Sequence, residues 1–308
     1  MFLGTPAFAV ASLEALGRLW RRGSIEIAGV VTQPDRPGSR GRLSEPAVKR
    51  TARELALPVL QPERLAGSEL AAVLAVRPEA LVWAAYGNRI PRTLLEAVEG
   101  RAVNVHASLL PRWRGAAPVA YAILAGDEET GVTLMEGTVE LDAGPILAQA
   151  STRIGETETR GELEARLAML GGEMLERELP AYLGGGLGRR PQDPGGVTQA
   201  PKLDPRAGEL DFARPAAQLV RIIRAFTPEP GAYLRFRGQR IGVLRASVAG
   251  GRGAEHEVFE LRGGSPHIAA NAGWLRLEEV RPAGRRTMTG AEWGRGLRGL
   301  TSGERVPS

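Results

Sequence analysis

Cysteine is absent from this chain, and histidine occurs only three times in 308 residues. The first absence excludes disulfides, cysteine metal sites and thiolate chemistry, and it fits a reducing compartment such as the cytoplasm. The second leaves too few ligands for a structural zinc site, so no metal is expected. No apolar run approaches the ~20 residues that a membrane span needs, so no membrane partner is expected. The opening stretch MFLGTPAFAV has no basic region ahead of an apolar one, and no signal peptide is expected. Lysine is nearly missing as well: Lys49 and Lys202 are the only two.

What is present is an ordinary globular composition, 24% charged and 43% hydrophobic, in a chain long enough for two domains. The net charge of +5 is unevenly placed. Residues 205–308 hold 17 basic and 10 acidic side chains, against 23 and 25 in residues 1–204. A basic C-terminal third points to a polyanionic partner, a signal weakened by the arginine bias of the whole chain.

The stretch LGGGLGRRPQDPGGVTQAP, residues 183–201, is too rich in glycine and proline for a helix or a central strand. It reads as an interdomain linker, which divides the chain into residues 1–183, a linker over 184–204, and residues 205–308. Before it, β-branched runs at residues 24–33, 80–87 and 101–107 alternate with alanine- and leucine-rich stretches such as 68–76. That alternation predicts an α/β domain with a mostly parallel sheet covered on both faces. A closing helix is expected over 157–179, with Thr159 and Glu162 as a capping box and Leu163, Leu167, Leu170 and Met174 as one apolar stripe. After the linker, short strand-like runs at 232–248 and 273–284 suggest a small β-barrel, an oligonucleotide-binding type being one option.

One stretch carries the chemistry: NVHASLLPRWRGAAP, residues 104–118. On a strand, residues i and i+2 point to the same face, so Asn104 and His106 project together. Pro111 ends the strand, and ligands of open α/β sheets bind beyond the carboxyl ends of strands. An amide that donates to a developing oxyanion, beside a ring that transfers protons, suits attack on a carbonyl carbon. Asp142, in GTVELDAGPIL, is a candidate for orienting the ring and supporting its charged form, although Asp-x-Gly is also an ordinary turn. Their positions at a strand end and a turn predict that His106→Ala and Asp142→Asn stop turnover with folding nearly unchanged.

A second stretch, PDRPGSRGRLSEP at residues 34–46, follows a strand and holds Arg36, Arg40 and Arg42. It is longer than the usual 2–6 residues of a βα connection, and such loops are more often functional.

These segments resemble the folate-dependent formyltransferase family. The resemblance rests on Asn104, His106, Ser108, Leu109, Leu110, Pro111, Arg114, Gly115, Leu141, Asp142 and Gly144. Within the family, the branch that acts on methionyl-tRNA is the closer match, through GTPAFA (4–9), TQPDRPGSRGR (32–42), AYG (85–87), PRWRGAAP (111–118), ETGVT (129–133), RAFTPEPGA (224–232) and RPAGRRTMTG (281–290). The resemblance implies a Rossmann-like formyltransferase domain followed by an oligonucleotide-binding-like barrel that holds tRNA. It implies 10-formyltetrahydrofolate as co-substrate, charged initiator tRNA as partner, no obligate protein partner, and Asn104, His106 and Asp142 as the catalytic set. It places folate near Trp83, Ala85, Tyr86, Gly87, Ser108, Leu109, Leu110 and Pro111, and tRNA on Arg36, Arg40, Arg42 and Lys202. Two departures stand out. Only three residues precede Gly4, so a weakly formed first strand is expected; and Ala107 replaces the family's glycine. A sugar-nucleotide formyltransferase and a non-catalytic RNA-binding protein are the other readings, the first opposed by PRWRGAAP and the long basic loop, the second by the intact catalytic set.

Overall fold

A computed structural model describes residues 1–37, 43–251, 256–299 and 304–306. The chain forms two compact units. The first comprises Met1–Pro118, Glu129–Arg153 and Glu164–Pro201, the second Val119–Glu128, Ile154–Leu163 and Lys202–Ser308. Among the described residues no helix is long and apolar enough to cross a membrane.

The elements up to the C-terminal segment are β1 (Phe2–Gly4), α1 (Val10–Arg21), β2 (Val30–Val31), β3 (Arg36–Pro37), β4 (Leu43–Ser44), α2 (Ala47–Glu54), β5 (Val59–Leu60), α3 (Gly67–Ala75), β6 (Leu81–Ala84), α4 (Arg92–Glu96), β7 (Ala102–His106), α5 (Pro118–Ala125), β8 (Glu129–Glu136), β9 (Ile146–Arg153) and α6 (Arg160–Leu183). The first unit is built on a seven-stranded sheet of order β5-β2-β1-β6-β7-β8-β9. β5 through β7 run parallel, while β8 and β9 are antiparallel. The expected mostly parallel sheet is therefore present, extended by an antiparallel hairpin.

Alternation along the central strands sends side chains to two cores. Leu3, Val31 and Leu81 join Val73, Leu94 and Leu95 of α3 and α4 in one cluster. On the other face α6 lies close: a Cβ on Gly171 would come within 2.8 Å of Val105, and one on Gly172 within 2.8 Å of the Ala11 carbonyl. Glycine at these two positions lets the helix approach the sheet and α1 at backbone distance. Thr159 and Glu162 form the expected capping box, with the Glu162 carboxylate accepting from the Thr159 N–H at 2.8 Å. Leu163, Leu167 and Met174 of the stripe are buried.

Two strand expectations change. β1 is short but fully formed: it pairs with β2 on one side and β6 on the other, and Phe2 and Leu3 are completely buried. The run at 24–33 shrinks to Val30–Val31. Val30 and Val31 pair with Phe2 and Leu3 of β1 and with Val59 and Leu60 of β5.

The stretch expected as a linker is knit into the first unit as far as Pro201. Arg190 exchanges two backbone hydrogen bonds with Ile146 (2.7 and 2.9 Å), and Ala200 donates to the Arg114 carbonyl at 2.7 Å. Apart from one 3₁₀ turn over Pro194–Gly196, glycine and proline keep this stretch irregular, but its backbone still finds partners.

The second unit continues with α7 (Ala216–Phe226), β10 (Ala232–Phe236), β11 (Gln239–Ala249), β12 (Phe259–Arg262), β13 (Ser265–Ala269), β14 (Trp274–Pro282), β15 (Met288–Thr289) and α8 (Gly290–Gly296). Its antiparallel sheet has the order β10-β11-β14-β13-β12, with β15 beside β14. Among the described residues no ladder joins β10 to β12, so hydrogen bonds do not close a barrel. Instead Phe236 of β10 stacks on Phe259 of β12 at 4.7 Å, and Trp293 of α8 meets both rings edge-on.

His267 of β13 lies buried in this unit, its Nδ1–H donating to the Ser265 carbonyl at 2.8 Å. Burial holds its pKa below the ordinary value, against the Ser265 hydrogen bond and Glu260 and aided by the nearby Arg262 and Arg276. The unfolded chain therefore takes up the proton first, and stability is lost as pH falls through ~6.5. The urea midpoint of the wild type is expected to drop between pH 7.5 and 5.5 more than that of His267→Asn; parallel curves would rule out this residue as the source.

Candidate active site

Four parallel strands end at one edge of the first unit's sheet, and the loops that leave them are tied together. Thr5, after β1, donates its hydroxyl to the Tyr86 carbonyl at 3.0 Å, and the Gln33 amide, after β2, donates to the same oxygen at 3.2 Å. Ala85 and Gly87 flank Tyr86 with positive φ, 42° and 88°. β7 delivers Asn104 and His106 to this edge. Their neighbours Val103 and Val105 are committed to the opposite face, which fixes the direction of both polar side chains.

Asn104, His106 and Asp142 meet there, each about 6% exposed. Asp142 Oδ1 accepts from Asn104 Nδ2 at 3.3 Å, and Oδ2 accepts the Gly115 N–H at 2.8 Å. The same Oδ2 lies 3.7 Å from His106 Nδ1. His106 Nε2 is 3.0 Å from the Trp113 carbonyl. A carbonyl can only accept, so in this arrangement Nε2 carries hydrogen, and Nδ1 faces the carboxylate. The ring is clamped between a carbonyl and a carboxylate. Asp142 has φ 51°, a left-handed backbone that aspartate tolerates better than most residues.

The clamp depends on residues that sequence reasoning passed over. Gln192 donates to the carbonyls of Asp142 (2.8 Å) and Gly144 (2.7 Å), and its Oε1 accepts from Arg114 Nη2 at 2.8 Å. Thr198 Oγ1 accepts the Trp113 N–H at 2.8 Å. Thr133 accepts the Leu110 N–H at 3.0 Å and donates to the Ser108 carbonyl at 2.6 Å; Gln149 donates to the Leu110 carbonyl at 2.9 Å. All of these bind backbone atoms, and a partner's backbone carries no residue-specific mark in sequence. Gln192 and Thr198 belong to the stretch expected as a linker. Gln192→Ala is expected to lower kcat/KM about tenfold, ~1.4 kcal/mol, by loosening the Asp142 loop. Wild-type kcat/KM in that variant would show the bridge to be dispensable.

Of the residues expected near folate, Ala85 and Gly87 are exposed, and Leu109 and Pro111 half-buried. The Tyr86 ring is buried in the core cluster. Ser108 and Leu110 are buried too, Ser108 donating to the Arg112 carbonyl at 2.6 Å. Trp83 is half-buried against the same cluster as Tyr86, and its register partner on β7 is Asn104. Gly137 leaves room for that indole: a Cβ there would sit 2.2 Å from it.

In the basic loop, β3 and β4 form a two-residue ladder. Arg36 is exposed and paired with Glu63 at 3.1 Å. Arg40 and Arg42 lie outside the described residues. The loop's base is pinned: Lys49 Nζ donates to both Asp35 oxygens (2.9 and 2.8 Å), and Gln61 donates to Asp35 Oδ1 at 2.9 Å. These bonds hold the Asp35 carboxyl below its usual pKa. Lys202 is exposed at the start of the second unit's C-terminal segment. Among the described residues no three His, Asp or Glu side chains are placed to hold a metal ion.

Comparison with known proteins gives one answer. The formyl transferase family model matches residues 1–179, and that of the formyl transferase C-terminal domain matches residues 202–298. A methionyl-tRNA formyltransferase of Halorhodospira halophila is 44% identical over 99% of this chain and 98% of its own length; one of Myxococcus xanthus is 43% identical over 95% and 93%. Among solved structures, the sugar 3N-formyl transferase WlaRD shares the fold with a TM-score of 0.68 at 15% identity, over 92% of this chain and 97% of that one. HypX from Aquifex aeolicus, solved with tetrahydrofolic acid, has a TM-score of 0.66 at 19% identity and covers 97% of this chain with 47% of its own. With near-complete coverage by relatives above 40% identity, this chain belongs to the methionyl-tRNA formyltransferase family.

Proposed function

We propose that this protein transfers the formyl group of 10-formyltetrahydrofolate to the α-amine of methionyl-initiator-tRNA, in the cytoplasm, giving formylmethionyl-tRNA and tetrahydrofolate. The observation that carries the reading is the contact of Asn104, His106 and Asp142 at the carboxyl edge of the sheet, in a chain of this family. The amine nitrogen bonds to the formyl carbon, and negative charge develops on the formyl oxygen. Asn104 Nδ2 has two hydrogens; Asp142 takes one, and the other is available to that oxygen. One such donor typically contributes ~2.7–4 kcal/mol. As the carbon–nitrogen bond to folate breaks, His106, in the tautomer whose Nδ1–H faces Asp142 and with Nε2 released from the Trp113 carbonyl, takes the proton from the amine on Nε2 and returns it to the departing folate nitrogen. Asp142 faces Nδ1 and balances the charge of the imidazolium while it exists. Folate lies along the 83–87 turn and the 108–111 segment, with Ala85 and Gly87 as its exposed contacts.

The division of labour follows the charge. Residues 1–183 perform the chemistry, residues 184–204 connect and brace its loops through Gln192 and Thr198, and residues 205–308 hold the RNA, helped by Lys202 at the junction. Arg36, Arg40 and Arg42 meet the acceptor stem. The Arg36–Glu63 pair is exposed, worth about 0–1 kcal/mol, and yields readily to a phosphate.

A formylation assay with charged initiator tRNA and 10-formyltetrahydrofolate tests the reading. Transfer to an amino-sugar nucleotide but not to methionyl-tRNA would sink it. In the same assay Arg40→Ala and Arg42→Ala are expected to lower kcat/KM for tRNA by ~1–3 kcal/mol each with folate affinity unchanged. Equal kcat/KM, or a parallel loss of folate binding, would return the loop to a solvated surface role.

A further inference from the structure

The second unit contains a cavity of about 230 Å³ that shares no residue with the candidate active site. Two segments singled out in the sequence form its walls. RAFTPEPGA supplies Pro228 and Pro230, and RPAGRRTMTG supplies Arg281 and Arg285. β11 lies between them, and the cross-strand register explains the hollow. Tyr233 of β10 pairs with Gly242 of β11, and Gly242 pairs with Arg281 of β14. Directly paired residues share a face, so the row Tyr233–Gly242–Arg281 has a large side chain at each end and none in the middle. Arg240, two residues before Gly242, stands on that same face with its guanidinium 3.7 Å from the centre of the Tyr233 ring. Arg285 follows the turn at Gly284, whose φ is 72°.

Charge makes this hollow selective. Arg240, Arg281 and Arg285 are exposed, and none has a carboxylate partner among the described residues. Of the acids nearby, Glu209 accepts from the Tyr233 hydroxyl (2.8 Å) and Arg235 (2.9 Å), and Glu279 pairs with Arg245 at 3.6 Å; Glu229, between the two prolines, is exposed and does not line the cavity. Other arginines of this unit, such as Arg206, Arg214, Arg237 and Arg262, do have carboxylates. Three guanidiniums gathered around one cavity, with proline on the facing wall and no acid lining it, leave a site short of negative charge. Guanidinium forks match phosphate oxygens, and prolines offer an apolar face to a sugar.

We propose that this cavity binds one phosphate of the RNA chain, held by Arg240, Arg281 and Arg285, with the adjoining ribose against Pro228 and Pro230. The assignment rests on the reading of a charged tRNA as substrate, and names where the second unit grips it.

The test uses the full chain and methionyl-initiator-tRNA across a series of KCl concentrations, with binding of uncharged initiator tRNA measured in parallel. Arg281→Gln with Arg285→Gln is expected to raise the tRNA KM and the dissociation constant about tenfold and to make the salt slope shallower by roughly one unit per lost contact. kcat and the folate KM stay at wild-type values. Arg214→Gln, an exposed arginine paired with Asp211, serves as control and is expected to change neither. Wild-type tRNA affinity and salt slope in the double variant would overturn the site while leaving the functional reading intact. Failure of the wild type to formylate methionyl-tRNA would overturn that reading; the site stands in that case only if the double variant still weakens binding of uncharged tRNA. Protection of the wild type, but not the double variant, by AMP against thermal unfolding, with tRNA affinity equal in both, would make this a small-nucleotide site and overturn the RNA assignment.

Discussion

Asp142→Asn is expected to lower kcat for formyl transfer by about 10²–10⁴-fold while leaving the folate KM little changed. Its two carboxylate oxygens meet three groups: the Asn104 amide, the Gly115 N–H and the His106 ring. An asparagine there has one acceptor oxygen for two donors, so its own NH₂ must face either Asn104 or Gly115. In the first case the oxyanion donor loses its fixed orientation; in the second the Arg114–Gly115 turn is released. The ring also loses the charge that balances its protonated state. The geometry amends one expectation drawn from sequence, that folding is nearly unaffected. A buried donor left without its acceptor costs about 1–3 kcal/mol, so a lower urea midpoint should accompany the loss of turnover. His106→Ala removes the proton carrier without placing donor against donor, and is expected to match the kinetic loss with a smaller loss of stability. Near-wild-type kcat in either variant would remove proton transfer by His106 from the mechanism.

Gly144→Ala should cost the first unit about 3 kcal/mol or more of stability. An alanine Cβ would sit 1.8 Å from the carbonyl oxygen of Glu136 and 2.9 Å from its carbon. Both atoms are backbone, so no rotamer change relieves the contact. Glu136 is also held in place, its N–H donating to the Pro145 carbonyl at 2.9 Å. The loop must move instead, taking Asp142, two residues earlier, away from His106 and stretching the Gln192 bond to the Gly144 carbonyl. Loss of activity should therefore accompany loss of stability even under conditions where the variant remains folded. Gly188→Ala is the matched control: nothing lies within 4 Å of its added Cβ, and its change should stay within ~0.5 kcal/mol. If the two variants have equal urea midpoints, the close approach at Gly144 is not a constraint on the fold.

The legible parts of this protein are those governed by short sequence separation. Alternation on β7 placed Asn104 and His106 on one face because successive side chains on a strand point opposite ways. Thr159 and Glu162 announced the start of α6 because a capping box closes within four residues. The alternation of apolar runs was enough to give a mostly parallel α/β sheet, and the short runs after it a small β unit, whose antiparallel ladders and, among the described residues, lack of hydrogen-bonded closure only the structure showed. Pattern alone left Asp142 either a candidate to orient the ring or an ordinary turn residue, and the resemblance to a known signature favoured the first.

Tertiary structure decided what pattern cannot carry. Thr198 holds Trp113 across 85 positions, and Gln192 holds Asp142 across 50. Both contacts end on backbone atoms, which every residue possesses, so neither partner's identity signals the other. The same limit explains why residues 183–201 read as a connector: glycine and proline report that no long helix or strand forms, and say nothing of where an irregular backbone finds its hydrogen bonds. The sequence by itself determined which residues could perform the chemistry and which face they occupy; the folded chain alone determined that a carbonyl, a carboxylate and a distant glutamine hold them at working distance, because those bonds exist only once segments far apart in sequence have been packed side by side.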